Sequence, residues 1–322
     1  MDVMKSLKYS LILTCSITLC SCFSGPAKVE RVIDNPTSNE IVIAIDGKEL
    51  AIPANSKTTY TFEYGKHNLT YNNESLNFIV KPSKYSGDGF INPTQSNYML
   101  HTFIYATNNT SDEAFDKIYK ETINKISIIL NGEEGELELP VIVVNDVFIE
   151  GELNRWDYSI DQEIPEEITE NINENQAFQT RKTKIYREKE YINLLQNDYF
   201  NSLEGEESKV EISFPNKTIK LAEITKYAFP KINLEEIKCD EGKKYLTKTL
   251  ENWQKFFTLT DNDFASTYED LSGEEGKEAL IRSLELCPKK IDPENTYFPA
   301  YKQLVDFIND TRYIPLILLN KI

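Results

Sequence analysis

Cysteine is the residue whose spacing in this chain points most clearly to chemistry. Three of the five cysteines, Cys15, Cys20 and Cys22, lie within the first 22 residues, and the other two, Cys239 and Cys287, lie far downstream. A thiol can form a disulfide, ligate a metal or be modified covalently. The uneven distribution indicates that the N-terminal cysteines and the downstream pair serve different purposes.

The segment before Cys20 has the layout of an export signal. Lys5 and Lys8 give a short positive start, and residues 9–19 are mostly apolar and carry no charge. That length matches the apolar region of a secretory signal peptide, and it is too short to span a bilayer, which takes ~20 residues. Residues 1–21 are therefore predicted to be a signal peptide.

The residues that close this segment, Leu19-Cys20-Ser21-Cys22, resemble the lipobox of bacterial lipoproteins. In that family a branched residue or leucine stands three positions, and a small residue one position, before a cysteine that is lipidated and becomes the N-terminus. The resemblance implies lipidation at Cys22, with residues 22–35 as the lipidated N-terminus and tether. It also implies stable membrane attachment, because several acyl chains anchor a protein firmly.

The residues after Cys22 bear on which membrane holds the protein. In the lipoprotein family an Asp directly after the lipidated cysteine retains many proteins at the inner membrane. Phe23 and Ser24 stand there in this chain, so the resemblance favours an envelope location at the outer membrane. The alternatives are an ordinary signal peptide cut near Ser21 or Ser24, which leaves Cys22 as a plain thiol, and a retained anchor.

The charge balance argues against one class of partner. The 322 residues include 35 basic and 52 acidic side chains, a formal net charge of −17, and loss of residues 1–21 changes it to −18. Nucleic acids bind to basic surfaces, so no nucleic-acid partner is expected. The acidic surface is compatible with a basic protein partner, or with solubility alone.

Removal of residues 1–21 takes away Cys15 and Cys20, and lipidation of Cys22 then leaves only Cys239 and Cys287 as thiols. An even pair in an oxidising compartment favours a disulfide between them. The alternative is two buried, inert thiols.

The histidines give little support for catalysis. His67 falls in a predicted turn and His101 in a predicted strand, and neither has another histidine or a cysteine at a short metal-ligand spacing. A Ser-His-Asp triad is not excluded by sequence, but no Gly-x-Ser-x-Gly elbow supports one. We therefore expect no catalytic residues, no metal site and no cofactor, with both histidines structural or on the surface.

Three further patterns fit turns and helix starts better than binding sites. Residues 85–90 (YSGDGF) lack the lysine of a phosphate loop and predict a tight turn. Residues 261–270 have acids at the first and third places of a calcium loop but lack its glycine, which favours a helix start. The acidic clusters 133–134, 204–207 and 274–275 predict solvated turns, rather than the paired carboxylates of a glycosidase.

Short alternating segments dominate residues 36–82. Residues 40–52 predict a hairpin around Asp46-Gly47, residues 58–71 a second pair of strands around Gly65, and residues 75–80 a further strand. These strands predict a small antiparallel β-sandwich. Residues 38–82 also resemble the PEGA-type surface β-modules of bacterial envelope proteins, which usually have proline where Tyr64 stands. The Pro, Gly, Ser and Asn content of residues 83–98 predicts a linker.

Residues 99–322 are predicted to form an α+β domain. A strand from Tyr98, a helix begun by Ser111 or Asp112 and three more strands up to Ile160 come first, and Pro140 suggests a sheet edge or a bulge. The charged residues 162–200 have helical spacing, with a face formed by Ile185, Tyr191, Ile192, Leu195 and Tyr199.

The end of the chain is predicted to be helical. A short β segment near Pro215 precedes three helices, within residues 244–257, 276–287 and 300–310. Leu246, Leu250, Trp253 and Phe257 lie on one face of the first helix and are expected to be buried. The predicted fold class is therefore α+β, with an N-terminal antiparallel β-sandwich followed by a mixed α+β region that ends in helices.

These patterns predict a membrane-anchored envelope lipoprotein that acts as a non-enzymatic scaffold or protein-interaction module. The alternatives are a periplasmic immunity or inhibitor protein that binds a basic toxin or enzyme, a glycan-binding lipoprotein, and an enzyme with a buried carboxylate pair. A flat acidic face with apolar anchors would favour a protein partner, and a concave patch of exposed Tyr and Trp would favour a glycan.

Overall fold

The structure, a computed structural model, describes residues 28–82, 88–168, 177–197, 210–224, 229–259, 261–312 and 314–317. They have the α+β fold that the sequence predicts, with several antiparallel sheets and with helices mostly in the C-terminal half. The strands are β1 Lys28–Asn35, β2 Ile41–Ile45, β3 Lys48–Ile52, β4 Ser56–Glu63, β5 Gly65–Tyr71, β6 Glu74–Val80, β7 Gly89–Ile91, β8 Tyr98–Ala106, β9 Asn124–Leu130, β10 Glu133–Leu139, β11 Val141–Val144, β12 Phe148–Glu150, β13 Gln179–Arg187, β14 Ile212–Ser213 and β15 Leu316–Ile317. The helices are α1 Asp112–Lys120, α2 Gly151–Asn154, α3 Glu188–Leu195, α4 Asp240–Phe256, α5 Asp261–Ser272, α6 Glu274–Arg282 and α7 Tyr297–Arg312.

The strands form four sheets, which we number by their position in the stack. Sheet I has the order β15-β6-β5-β2-β3, and sheet II has the order β12-β7-β1-β4. Sheet III has the order β11-β8-β13, and sheet IV has the order β10-β9-β14. Neighbouring strands are antiparallel throughout these sheets, except that β1 and β7 run parallel.

Sheets I and II pack face to face as a β-sandwich. Ile43 and Leu69 from sheet I share one hydrophobic cluster with Ile33 and Phe62 from sheet II. All four side chains are at most 1 % exposed. The predicted N-terminal sandwich is therefore present, but its strands come from more of the chain than residues 36–82.

Sheet II is covered on its other face by sheet III, and sheet III in turn by sheet IV. Phe90 and Ile149 of sheet II pack with Leu100 of sheet III. Met99, the neighbour of Leu100 in β8, packs instead into a cluster with strands of sheet IV and with α3. Since successive side chains of a strand point to opposite faces, β8 is buried on both sides, which explains its continuous apolar start.

These layers correct the predicted tether and linker. β1 begins at Lys28, inside the predicted tether 22–35, and is an inner strand of sheet II. β7 lies inside the predicted linker 83–98 and pairs with both β1 and β12, so this part is a sheet strand. Strand pairing across long sequence separations cannot be read from a local Gly, Pro and Ser content.

The strands around Gly65 exist, but they do not pair with each other. β4 pairs with β1 in sheet II, whereas β5 pairs with β2 and β6 in sheet I. Gly65 has a φ of 129°, a backbone conformation open mainly to glycine. It therefore forms the corner at which the chain passes from one sheet of the sandwich to the other.

The predicted helix over residues 162–200 is wrong for most of its described length. Residues Gln179–Arg187 form β13, and all nine of them pair with β8, whereas the helix α3 covers only Glu188–Leu195. The stretch contains two threonines, an isoleucine and a tyrosine, which favour strands. The long edge of β8 supplies nine pairing partners, and this tertiary contact overrides the charged composition.

The C-terminal helices pack as predicted. Leu246, Leu250, Trp253 and Phe257 are all at most 8 % exposed and share one cluster with residues of α5 and α7. Ile79 of β6 belongs to the same cluster, so the helical part rests on the outer face of sheet I. Within the described ranges, no helix has both the length and the apolar character needed to cross a membrane.

Candidate functional site

Cys22, which the lipobox resemblance marks for lipidation, lies outside the described residues. The predicted signal peptide 1–21 and the first residues of the tether lie outside them too. Lipidation at Cys22 therefore stays a prediction of the sequence.

Cys239 and Cys287 are joined by a disulfide, with sulfur atoms 2.03 Å apart. Cys239 directly precedes α4, and Cys287 follows the 3₁₀ turn Ser283–Leu286. Gly242 permits the approach, because a Cβ at this position would lie 2.3 Å from the sulfur of Cys287. The bond therefore ties the start of α4 to the segment before α7, within the helical part.

His67 links two turns of the sandwich. Its Nδ1 lies 2.7 Å from the carboxylate of Asp46, and its Nε2 lies 2.8 Å from the carbonyl oxygen of Glu63. Asp46 also accepts the backbone N–H of Asn68 at 2.8 Å. The two turns on which the resemblance to surface β-modules rests therefore meet in space. Both ring nitrogens face acceptors, so neither is open to a substrate, which is the geometry of a structural histidine.

His101 is buried on β8 of sheet III, against Tyr191 of α3. Its Nδ1 lies 3.0 Å from the hydroxyl of Tyr191, and its ring contacts Phe103 at a centroid distance of 4.4 Å. Burial lowers the pKa of His101 to about 4. The imidazole is therefore neutral near pH 7 and belongs to the packed interior.

The weaker motifs fall mostly where the sequence places them. Residues 261–270 begin α5 at Asp261, which confirms the predicted helix start. No group of three or more His, Cys, Asp and Glu residues suited to a metal occurs among the described residues. Residues 85–87 of the predicted tight turn lie outside them, but Gly89 is in β7, where a Cβ would lie 2.7 Å from the Glu150 carboxylate. That glycine is needed for a close strand contact.

The acidic clusters are not all turns. Glu133 and Glu134 are the first two residues of β10, and the turn before them is Asn131-Gly132, with φ of 50° and 86°. Cluster 204–207 lies outside the described residues, and cluster 274–275 begins α6.

β10 is an edge strand with carboxylates along one exposed face. Glu134, Glu136 and Glu138 alternate with Gly135, Leu137 and Leu139, and Leu139 is buried against sheet III and α3. β9 is the one neighbour of β10 among the described strands. None of the described residues pairs with the backbone groups on the other side of β10, so this edge can accept a further strand.

Two charged pairs are buried between layers, and the sequence did not indicate either. Arg187 donates to both carboxylate oxygens of Asp34, at 2.9 and 2.6 Å, and Tyr98 donates its hydroxyl to the same carboxylate at 2.6 Å. These bonds join sheet II to sheet III. Burial, together with the charge of Asp34, raises the pKa of Tyr98 well above its ordinary value. Arg31 pairs with Glu150 at 3.2 Å, and both side chains are at most 7 % exposed.

Lys81 is a further buried charged group that sequence reasoning missed. It follows β6 and is 1 % exposed, and its Nζ lies 3.1 Å from the hydroxyl of Tyr268. Burial lowers the pKa of Lys81 to about 7, against the opposing effect of the Glu150 carboxylate. A lysine is exposed in most proteins, so its position after an apolar strand gave no signal of burial.

A surface groove of about 330 Å³ lies between α4 and α5. Asn252, Lys255, Asp263, Ser266 and Asp270 line it, and all five are exposed. Neither His67 nor His101 lines this groove. The groove therefore does not bring together the histidines that the sequence singled out.

Comparisons with protein families, with curated proteins and with solved structures find no match for this chain. Any function must therefore be proposed from its own residues. The described geometry gives both histidines structural contacts and offers one open, acidic sheet edge.

Proposed function

We propose that this protein is a lipid-anchored envelope protein that acts as a non-enzymatic scaffold or protein-interaction module for a basic partner. The observation that carries the binding part is the open edge of β10 beside its row of carboxylates. An exposed strand edge can accept an extended segment of a partner, whose backbone adds a strand to the sheet. Glu136 lies 3.9 Å from Lys125 of β9, and the remaining charge of the row, on Glu134 and Glu138, favours a partner segment rich in lysine or arginine.

The same carboxylates act against self-association. Like charges directly opposite each other on paired strands repel, so two copies of β10 would place their glutamates against one another. The net charge of −18 that remains without residues 1–21 adds to this repulsion. A basic segment does not meet this repulsion, so charge favours a basic partner over a second copy of the protein.

The anchor would hold this body close to the bilayer. Cys22 precedes Lys28, the first residue of β1, by six positions. Six residues reach about 20 Å when fully extended. A lipid on Cys22 would therefore keep the protein near one membrane surface and restrict which partners reach it.

Two experiments test the two parts of this proposal. We expect Cys22→Ser to move the protein from the membrane fraction to the soluble fraction, with Cys20→Ser as the control that leaves it membrane-bound. Unchanged partitioning and unchanged mass of the Cys22→Ser protein would refute the lipid anchor.

Binding is tested with a ten-residue peptide that alternates lysine and valine. We expect it to bind the protein, and a peptide of equal charge with proline in place of valine to bind at least tenfold more weakly, because proline cannot donate to a strand ladder. The charge reversal E134K/E136K/E138K should abolish binding, whereas E251K/E285K/D310K, on exposed positions of the helical part, should retain most of it. Equal binding of the two peptides, or equal loss in both variants, would refute the edge as the site.

The other candidates differ in what they require. An immunity or inhibitor protein would bind a basic toxin or enzyme through the same edge, and a loss of that enzyme's activity on binding would distinguish it from a scaffold. Glycan binding receives no support from the two tryptophans, since Trp253 is 2 % exposed and Trp156 is partly buried against a hydrophobic cluster.

A further inference from the structure

Lys81 lies where the β-sandwich meets the C-terminal helices. Its Nζ is 3.1 Å from the carbonyl oxygen of Pro82, 3.1 Å from the hydroxyl of Tyr268 in α5 and 3.5 Å from the carbonyl oxygen of Arg312 at the end of α7. It also lies 4.9 Å from the centre of the Tyr268 ring. One side chain therefore contacts the strand side, α5 and the end of α7.

The C-terminal end of the chain attaches to sheet I at the same place. The backbone N–H of Lys81 donates to the carbonyl oxygen of Pro315 at 2.8 Å. The next two residues, Leu316 and Ile317, form β15 and pair with Val80 and Ile79 of β6. Whatever weakens the surroundings of Lys81 therefore also weakens the pairing of β15.

The neighbours of Lys81 are uncharged: its Nζ donates to the carbonyl oxygens of Pro82 and Arg312 and to the hydroxyl of Tyr268. A neutral amine can keep all three contacts, because it donates two hydrogens and accepts one through its lone pair. The ammonium form has no carboxylate in salt-bridge contact among the described residues. Glu150 of β12 faces it from a distance and is already paired with Arg31.

A buried cation without a contacting counter-ion is costly. This cost falls on the charged form of Lys81 alone, so the two protonation states differ in how well the helical part docks on sheet I. We propose that Lys81 is a proton-controlled latch: its neutral form fastens α5, α7 and β15 to the β-sandwich, and its protonation loosens them.

The direction of the pH effect follows from the proton balance. When the latch is closed, the pKa of Lys81 is about 7, whereas a lysine exposed to water has its ordinary value of about 10.4. Between these values the open state binds more protons than the closed state, so closure becomes more favourable as the pH rises. Closure is weakest below pH 7, where both states are protonated and the full cost of burying the charge remains.

The test measures amide hydrogen exchange of β15 and β6 in the soluble Cys22→Ser protein. The exchange rates are converted to protection factors, because the intrinsic exchange rate of an unprotected amide itself depends on pH. We expect protection of Leu316 and Ile317 to rise, by at most about tenfold per pH unit, between pH 7 and 9. Lys81→Met should keep these amides protected and independent of pH over this range. Lys66→Met, at an exposed lysine of β5, should behave like the unmodified chain.

Two results would overturn the latch. The first is the same pH profile in Lys81→Met and in the unmodified chain. The second is a rise in the protection of sheets III and IV with pH that equals the rise in β15, because an equal rise would reflect a change in the overall stability of the protein. If Lys81→Met does not fold, the NMR titration of the Lys81 side chain in the unmodified protein decides: a midpoint near 10.4 refutes the latch, and a midpoint near 7 supports it.

Discussion

The stack of sheets and the helical part are held together in different ways. Between sheets II and III the structure buries a charged network of Asp34, Arg187 and Tyr98. The helical part buries an aromatic cluster, in which four other aromatic rings lie within 6.4 Å of Trp253. It also contains the disulfide between Cys239 and Cys287. The first arrangement depends on geometry across layers, and the second on apolar surface and a covalent bond.

This difference predicts where each region is vulnerable. A buried ion pair contributes little when both partners are replaced by apolar residues, but removing one partner leaves an uncompensated charge. An aromatic core loses stability in proportion to the apolar surface removed and to the cavity that is left. A single substitution should therefore destabilise the sheet stack when it leaves a buried charge without its partner. It should destabilise the helical part when it breaks the disulfide or leaves a cavity in the aromatic core.

The largest effect is expected from Asp34→Ala. This substitution removes the buried carboxylate that Arg187 and the hydroxyl of Tyr98 contact. Arg187 keeps only the half-exposed carboxylates of Asp161 and Glu190, at 3.0 and 2.9 Å, so we expect a loss of about 3 kcal/mol in the free energy of unfolding. Urea unfolding followed by circular dichroism measures it. Asp306→Ala, which breaks an exposed pair with Lys302, is the matched control and should cost less than about 0.5 kcal/mol.

A loss below about 1 kcal/mol for Asp34→Ala would mean that water or a rearranged side chain replaces the carboxylate. The buried charged network would then not be what stabilises the contact between sheets II and III. Hydrogen exchange of β8 and β13 in the same variant would show whether the damage stays at the interface of sheets II and III.

A slightly smaller effect is expected from the double substitution Cys239→Ser and Cys287→Ser. The disulfide closes a separation of 48 residues, which corresponds to roughly 4 kcal/mol of loop entropy as an upper value, with 2 to 4 kcal/mol typically observed. Thermal unfolding with and without reductant measures it, because the unmodified chain under reductant should approach the variant. We expect exchange protection to fall in α4 and α7 before it falls in β8. Equal loss in both regions would show that they unfold as one unit.

The smallest of these effects concerns His101 and acid. Burial lowers the pKa of His101 to about 4, whereas in the unfolded chain it has the ordinary value of about 6.5. The unfolded state therefore binds more protons between these values, and stability falls as the pH drops from 6.5 towards 4, by roughly 3 kcal/mol at most. His101→Gln should flatten this part of the pH profile, measured as the urea midpoint. His67→Gln, at the partly exposed histidine, serves as the comparison, and an identical flattening in both variants would contradict the assignment to His101.

The sequence alone determined the features that depend on neighbouring residues. Asp46-Gly47 has the two positive φ angles of a tight hairpin turn, Ser111 caps α1 by accepting the N–H of Ala114, and Leu246 and its partners form a buried helix face. Each of these follows from a local preference or from helical spacing, which the chain carries wherever it folds. The acidic charge belongs to the same class, since composition fixes it.

Only the tertiary structure decided the features that join distant segments. Residues 179–187 form a strand because β8 offers them nine partners, and Asp34 and Arg187 are buried because two sheets bring them together over 153 positions. Lys81 and the edge of β10 were missed as candidate sites for the same reason, although the alternation of Glu134, Glu136 and Glu138 could have indicated an exposed strand face. A charged residue is expected at the surface unless a partner is known, and a partner far along the chain is invisible to any local pattern. The burial of these charged residues and the pairing of these strands are thus defined only when the sheets pack against each other.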